Sequence, residues 1–208
     1  MRLGILLLFI AARAWAQQHV PGRFDYYVLS LSWSPEYCAG PAGGRNPQQC
    51  GEGRRYGFVV HGLWPQYERG WPQDCSPAAA VDRAIVARML SLMPAEKLIE
   101  HQWRKHGSCS GLDPASYFQL VETAFRSFRI PDDLRQPLKE ITFTPDNLRR
   151  KILAANPGYP RESVSLACAG RYLSEVRICL TRDLQPRGCS SSVRDTCRAE
   201  SIILRPIR

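Results

Sequence analysis

The stretch GFVVHGLWPQ, residues 57–66, decides how this chain reads. Phe58, Val59 and Val60 make a short aromatic and β-branched run of the kind that packs in a sheet. The run predicts a core strand over 56–60, stopped by Gly62 and Pro65, with His61 delivered at its end. A histidine directly after a buried apolar run buries a polar ring at a cost, unless the ring faces a cleft. On this stretch alone a satisfied core histidine and a cleft histidine are both open. Trp64, just beyond, is either a core side chain or a flat surface on which a base stacks.

Outward from that strand the pattern is mixed. Residues 24–33, FDYYVLSLSW, read as a core strand, and 36–53 as a Gly-, Pro-, Asn- and Gln-rich loop containing Cys38 and Cys50. A second loop, 67–77, carries Trp71 and Cys75. Helical patterns follow over 78–92 and from Pro94 to about His106, where Gly107 is the stop. Asp113-Pro114 opens a helix through Tyr117, Leu120, Val121, Ala124, Phe125 and Phe128, and Thr144-Pro145-Asp146 opens a shorter one. From Ser163 strands return as VSLAC, YLSEVRICL and SIILRPI. With no repeat and no linker, this predicts one α+β domain, an antiparallel central sheet packed with helices.

The first residues, MRLGILLLFIAARAWAQQ, combine Arg2, an apolar run over 4–12 and the small-x-small site Ala14-Trp15-Ala16. They read as a secretory signal peptide over 1–16, because the run is too short to span a bilayer. The expectation is a single domain over 17–208, secreted or periplasmic, with no membrane contact once the leader is gone. Its eight cysteines, an even count in an exported chain, read as disulfides rather than a zinc site, since neither C-x-x-C nor H-x-x-x-H occurs. The net charge of +9 suits a polyanionic partner, although the scattered arginines also suit simple solubility.

A second stretch, EHQWRKHGSCSG at 100–111, holds two of the chain's four histidines. At ~100° per residue, His101, Gln102, Lys105 and His106 fall within an arc of roughly 140°. Two imidazoles, a carboxamide and an ammonium can thus converge on one small object, with Cys109 as a covalent tie for the helix end. Alone, the stretch is equally a solvated helix face. Together, His61-Gly62-Leu63-Trp64-Pro65 and the segment from His101 to Cys109 resemble the two signatures of the ribonuclease T2 family, and FDYYVLSLSWSPEYC is similar to the family's first strand.

The resemblance implies a disulfide-stabilised T2-like fold and a broad-specificity endoribonuclease acting on single-stranded RNA without metal or cofactor, as a monomer. RNA carries its own nucleophile, the ribose 2′-OH, so one neutral imidazole can remove its proton while a protonated one serves the departing 5′-oxygen. The products are 2′,3′-cyclic phosphates, then 3′-phosphates. By the same resemblance His106 is the base, His61 the acid, His101 a phosphate-binding group, Lys105 a stabiliser of the charged intermediate and Trp64 a base platform. It also implies the pairs Cys38–Cys50, Cys75–Cys109, Cys168–Cys197 and Cys179–Cys189.

Two positions depart from the family. Gln102 stands where glutamate is usual, and Ser32 where glutamine often precedes the tryptophan. Losing the carboxylate at 102 either lowers the pKa of His106 and shifts the pH optimum down, or misorients Lys105 and weakens turnover. A catalytically weakened RNA- or polyanion-binding protein on the same scaffold is therefore the alternative. A metal-dependent phosphodiesterase is disfavoured, because neither motif brings an Asp or Glu ligand.

Overall fold

Alternation along one strand gives the sheet its two faces. The computed structural model describes residues 19–207, so the leader read at 1–16 lies outside the described residues. In chain order the elements are β1 (Tyr26–Trp33), α1 (Ser34–Ala39), α2 (Pro47–Cys50), β2 (Phe58–Gln66), α3 (Arg83–Met89), α4 (Glu96–Lys105), α5 (Pro114–Ser127), β3 (Ile141–Phe143), α6 (Pro145–Ala155), β4 (Val164–Ala169), β5 (Tyr172–Leu180) and β6 (Ile202–Leu204). On β1, Tyr27, Leu29, Leu31 and Trp33 enter the main core with Ile99, Trp103, Tyr117, Phe118, Leu148 and Ile152 from the helices. Tyr26 and Val28 take the other face, beside Cys179, and period-two alternation puts Ser30 and Ser32 there too.

The sheet runs β2-β1-β5-β6-β3, with β4 also paired to β5. Pairing is antiparallel except at β5 and β6, which meet in parallel at Tyr172 and Ile203. The α+β reading of the sequence holds. Helix starts follow their caps: the side chains of Asp82, Asp113 and Thr144 accept from the backbone N–H of Ala84, Ser116 and Asn147. The Asp82 cap explains why α3 begins at Arg83 rather than at Ala78. The loop read at 36–53 contains two short helices, and β3 is too short to show a period in the sequence.

The larger correction concerns β2. It does not stop at Gly62 and Pro65 but runs on to Gln66, paired with β1 along its whole length. β2 is the edge of the sheet, so the missing N–H of Pro65 removes no ladder bond on the outer side. His61 accordingly lies in mid-strand, not at a strand end.

All eight cysteines are paired, as Cys38–Cys50, Cys75–Cys109, Cys168–Cys197 and Cys179–Cys189. Among the described residues no helix is long and apolar enough to cross a membrane.

Candidate active site

The register of β1 against β2 breaks at one point. Ser30 faces Gly62 and Leu31 faces Val60, so His61 is the extra residue of a bulge. Bulges bend a strand and re-aim a side chain. Here alternation resets, with Val60 and Leu63 in the core while His61, Trp64 and Gln66 line a cleft on the opposite face. The His61 ring stays about one-third exposed, and its Nδ1 lies 2.7 Å from Oε1 of Glu175 on β5.

α4 brings the second group. His101, Gln102, Lys105 and His106 all line the same cleft of about 360 Å³, as their helical arc predicts. His106 caps the helix, its backbone N–H donating to the Gln102 carbonyl. Gly107 follows because a Cβ there would stand 2.5 Å from the Trp103 ring and 2.9 Å from that of Tyr117. The helix end is fastened from outside by the Cys75–Cys109 bond, by Asp74 N–H on the Lys105 carbonyl, and by Cys75 N–H on the Ser108 hydroxyl.

Environment separates the histidines. His106 is only 9 % exposed, and its Nδ1 is buried without a hydrogen-bond partner. Burial, then the charges of Lys105, His61 and His101, press its pKa down to about 3. The ring is neutral at ordinary pH. His101 is shifted in the same direction, by partial burial first and then by Lys105 and Arg104. His61 instead faces a carboxylate. Burial, the largest influence on Glu175, would raise its pKa, yet the hydrogen bond and charge of His61, with the charge and hydrogen bond of Arg177, bring it down to about 2.

Trp64 sits between the two histidines, its ring centroid 5.1 Å from that of His61 and 5.4 Å from that of His106. Its Nε1–H donates to Oε1 of Gln102 at 2.7 Å, and the Arg177 guanidinium lies 5.9 Å from the ring centroid. An indole N–H only donates, so the contact fixes which end of the Gln102 amide is oxygen. Gly62 makes the contact possible, since a Cβ at that position would lie 2.3 Å from both of its atoms.

Each candidate read from the sequence thus reaches one cleft: His61, Trp64, His101, Gln102, Lys105 and His106. Several groups at the cleft lie outside the sequence reading. Glu175 and Arg177 arrive from β5, and Trp71 stands 50 % exposed among the lining residues. The signal for the first two is a pair of charges two places apart, Glu175 and Arg177, in an otherwise largely apolar strand.

Residues 24–189 match the profile of the Ribonuclease T2 family. The chain belongs to that family. A ribonuclease of Aeromonas hydrophila is 34 % identical over 99 % of this chain and 97 % of its own length. Among solved structures, the S-like ribonuclease trichomaglin superposes with a TM-score of 0.71 at 19 % identity, over 89 % of this chain and all of its own. An RNase MC1 variant in complex with 5′-UMP gives a TM-score of 0.64 at 21 % identity, over 86 % and 98 %. The likeness to these two structures is one of fold. The protein is a T2-type endoribonuclease with a disulfide-stabilised α+β domain.

Proposed function

We propose that this T2 ribonuclease cleaves single-stranded RNA by transesterification, with His106 as base and His61 as acid. One observation carries the reading: two imidazoles line one cleft in opposite electrostatic settings, one held neutral by burial among cations, the other against a carboxylate. Divergent settings of this kind are how acid and base roles are divided. His106 takes the 2′-OH proton as that oxygen bonds to phosphorus. The P–O5′ bond then breaks as His61 gives its proton to the leaving oxygen, and the 2′,3′-cyclic phosphate is opened by water with the roles reversed.

Lys105 and His101 stabilise the extra charge on phosphorus, and the Gln102 amide holds Trp64 in place between the two rings. No metal is required by this chemistry. The cleft extends from the histidines to Gln66, Trp71 and Val193, a rim on which a base rests; the RNase MC1 variant, of related fold, is known in complex with 5′-UMP. Base specificity is broad. With the leader removed, the enzyme works as a secreted or periplasmic monomer.

The test is incubation of purified enzyme with single-stranded RNA in excess EDTA. Cleavage to cyclic-phosphate ends is expected, and His61→Ala and His106→Ala each abolish it with circular dichroism unchanged. RNA binding without cleavage by the wild type would favour the weakened alternative. Near-normal turnover by either folded variant would overturn the roles.

A further inference from the structure

We infer that Glu175 is a positioning residue for the acid step, holding His61 through Nδ1 so that Nε2 carries the transferred proton. The inference rests on His61 being the acid. Its basis is geometric. β1 lies between β2 and β5, and beside His61 it presents Ser30 and Ser32, opposite Arg177 and Glu175 respectively, with Val28 farther along the cleft. Small side chains there leave the sheet surface open, so the bulged His61 reaches across β1 to Glu175 at 2.7 Å. The carboxylate is itself fixed. Its Oε2 takes Nε–H and NH2 of Arg177 at 2.8 and 2.7 Å, and the side chain is only 13 % exposed.

A carboxylate on one nitrogen of an imidazole sets its tautomer and orientation, and balances the ring's charge while it is protonated. During cleavage the Nε2–H bond breaks, the O5′–H bond forms, and Nδ1–H stays with Glu175. The neutral ring then has its Nε2 lone pair facing the cleft, ready to take a proton from water in the second step. His61 also borders a second cavity of about 350 Å³, which Glu175, Ser32 and Tyr37 help to line, so the fixed ring forms the boundary between two spaces. The other charged or titratable groups around it are His101, Lys105 and His106 from α4 and its cap, and Glu36 from α1. Glu36 is paired with Arg205. Among the described residues Glu175 is the one carboxylate bonded to the ring.

The experiment compares two substrates in the same protein sample: uridylyl-3′,5′-adenosine, whose 5′-oxygen needs a proton to depart, and uridine 3′-(4-nitrophenyl phosphate), whose leaving group needs none. Glu175→Gln is expected to lose about 10- to 100-fold in kcat on the dinucleotide, with KM changed much less, and only a few-fold on the nitrophenyl ester. The ratio of the two activities is independent of the folded fraction. Should Glu175→Gln not fold, Glu175→Asp gives an intermediate ratio. Equal loss on both substrates overturns the inference. His61→Ala separates it from the reading beneath: if His61→Ala also loses both activities equally, the acid assignment fails; if only the Glu175 variants do, the positioning role alone fails.

Discussion

Replacing Gly62 by alanine adds one methyl group where Gln102 and Trp64 meet over the strand. Gly62 lies in an antiparallel strand paired with Ser30, so no backbone angle demands glycine, and strand propensity alone favours alanine. The cost is contact. The new Cβ would sit 2.3 Å from Gln102 Oε1 and 2.3 Å from Trp64 Nε1, so the 2.7 Å hydrogen bond between them must open. Overpacking of this kind costs about 1–3 kcal/mol, and leaving the part-buried indole N–H and the buried Gln102 amide oxygen unpaired costs a further 1–3 or so. Reduced entropy of the unfolded chain returns roughly 0.4–1 kcal/mol. The net expectation is a loss of about 2–4 kcal/mol, read as a lower urea midpoint at unchanged slope. Because Trp64 packs against both histidine rings, kcat should fall as well. In a Gln102→Ala background one obstacle is gone, and the cost of Gly62→Ala should drop by at least about 1 kcal/mol. A Gly62→Ala variant within about 0.5 kcal/mol of wild type and fully active would refute the reasoning.

Other outcomes follow from the same geometry. Cys75→Ser with Cys109→Ser opens a loop of 34 residues and should cost on the order of 3–4 kcal/mol in chemical denaturation. It should also lower kcat, since it frees the end of α4. Gln102→Glu places a carboxylate beside His106 and should move the acid limb of the pH profile to higher pH; an unmoved limb would make that position incidental. His106 is neutral in the fold down to about pH 3, whereas the unfolded ring binds its proton below about 6.5. The unfolded state then holds more protons, so stability falls as pH drops from about 6.5 towards 3. Across that window the wild type should lose up to about 1.4 kcal/mol per pH unit more than His106→Asn; parallel curves would show the ring is not held neutral.

Local pattern made part of this site legible and topology concealed the rest. His101, Gln102, Lys105 and His106 belong to one helix, so spacing alone gathers them, and the caps at Asp113 and Thr144 are local too. His61 was visible as a misfit after an apolar run, yet its place in mid-strand was not. Pro65 reads as a strand stop unless one knows that β2 is an edge. Glu175 lies 114 residues from His61 in sequence, and their meeting depends on a bulge in one strand and two serines in another. Neither is visible until register is fixed. The cysteine pairs were likewise beyond spacing, since eight cysteines allow about 105 pairings.

The central claim is that the sugar's own hydroxyl attacks while two imidazoles move the protons. A chimeric oligonucleotide with one 2′-deoxyribose among ribonucleotides, treated with enzyme in excess EDTA, tests it most directly. The expected products carry 2′,3′-cyclic phosphate ends at early times and 3′-phosphates later, and the linkage 3′ to the deoxyribose stays intact. Scission at that linkage, or loss of all cleavage on adding EDTA, would contradict the account.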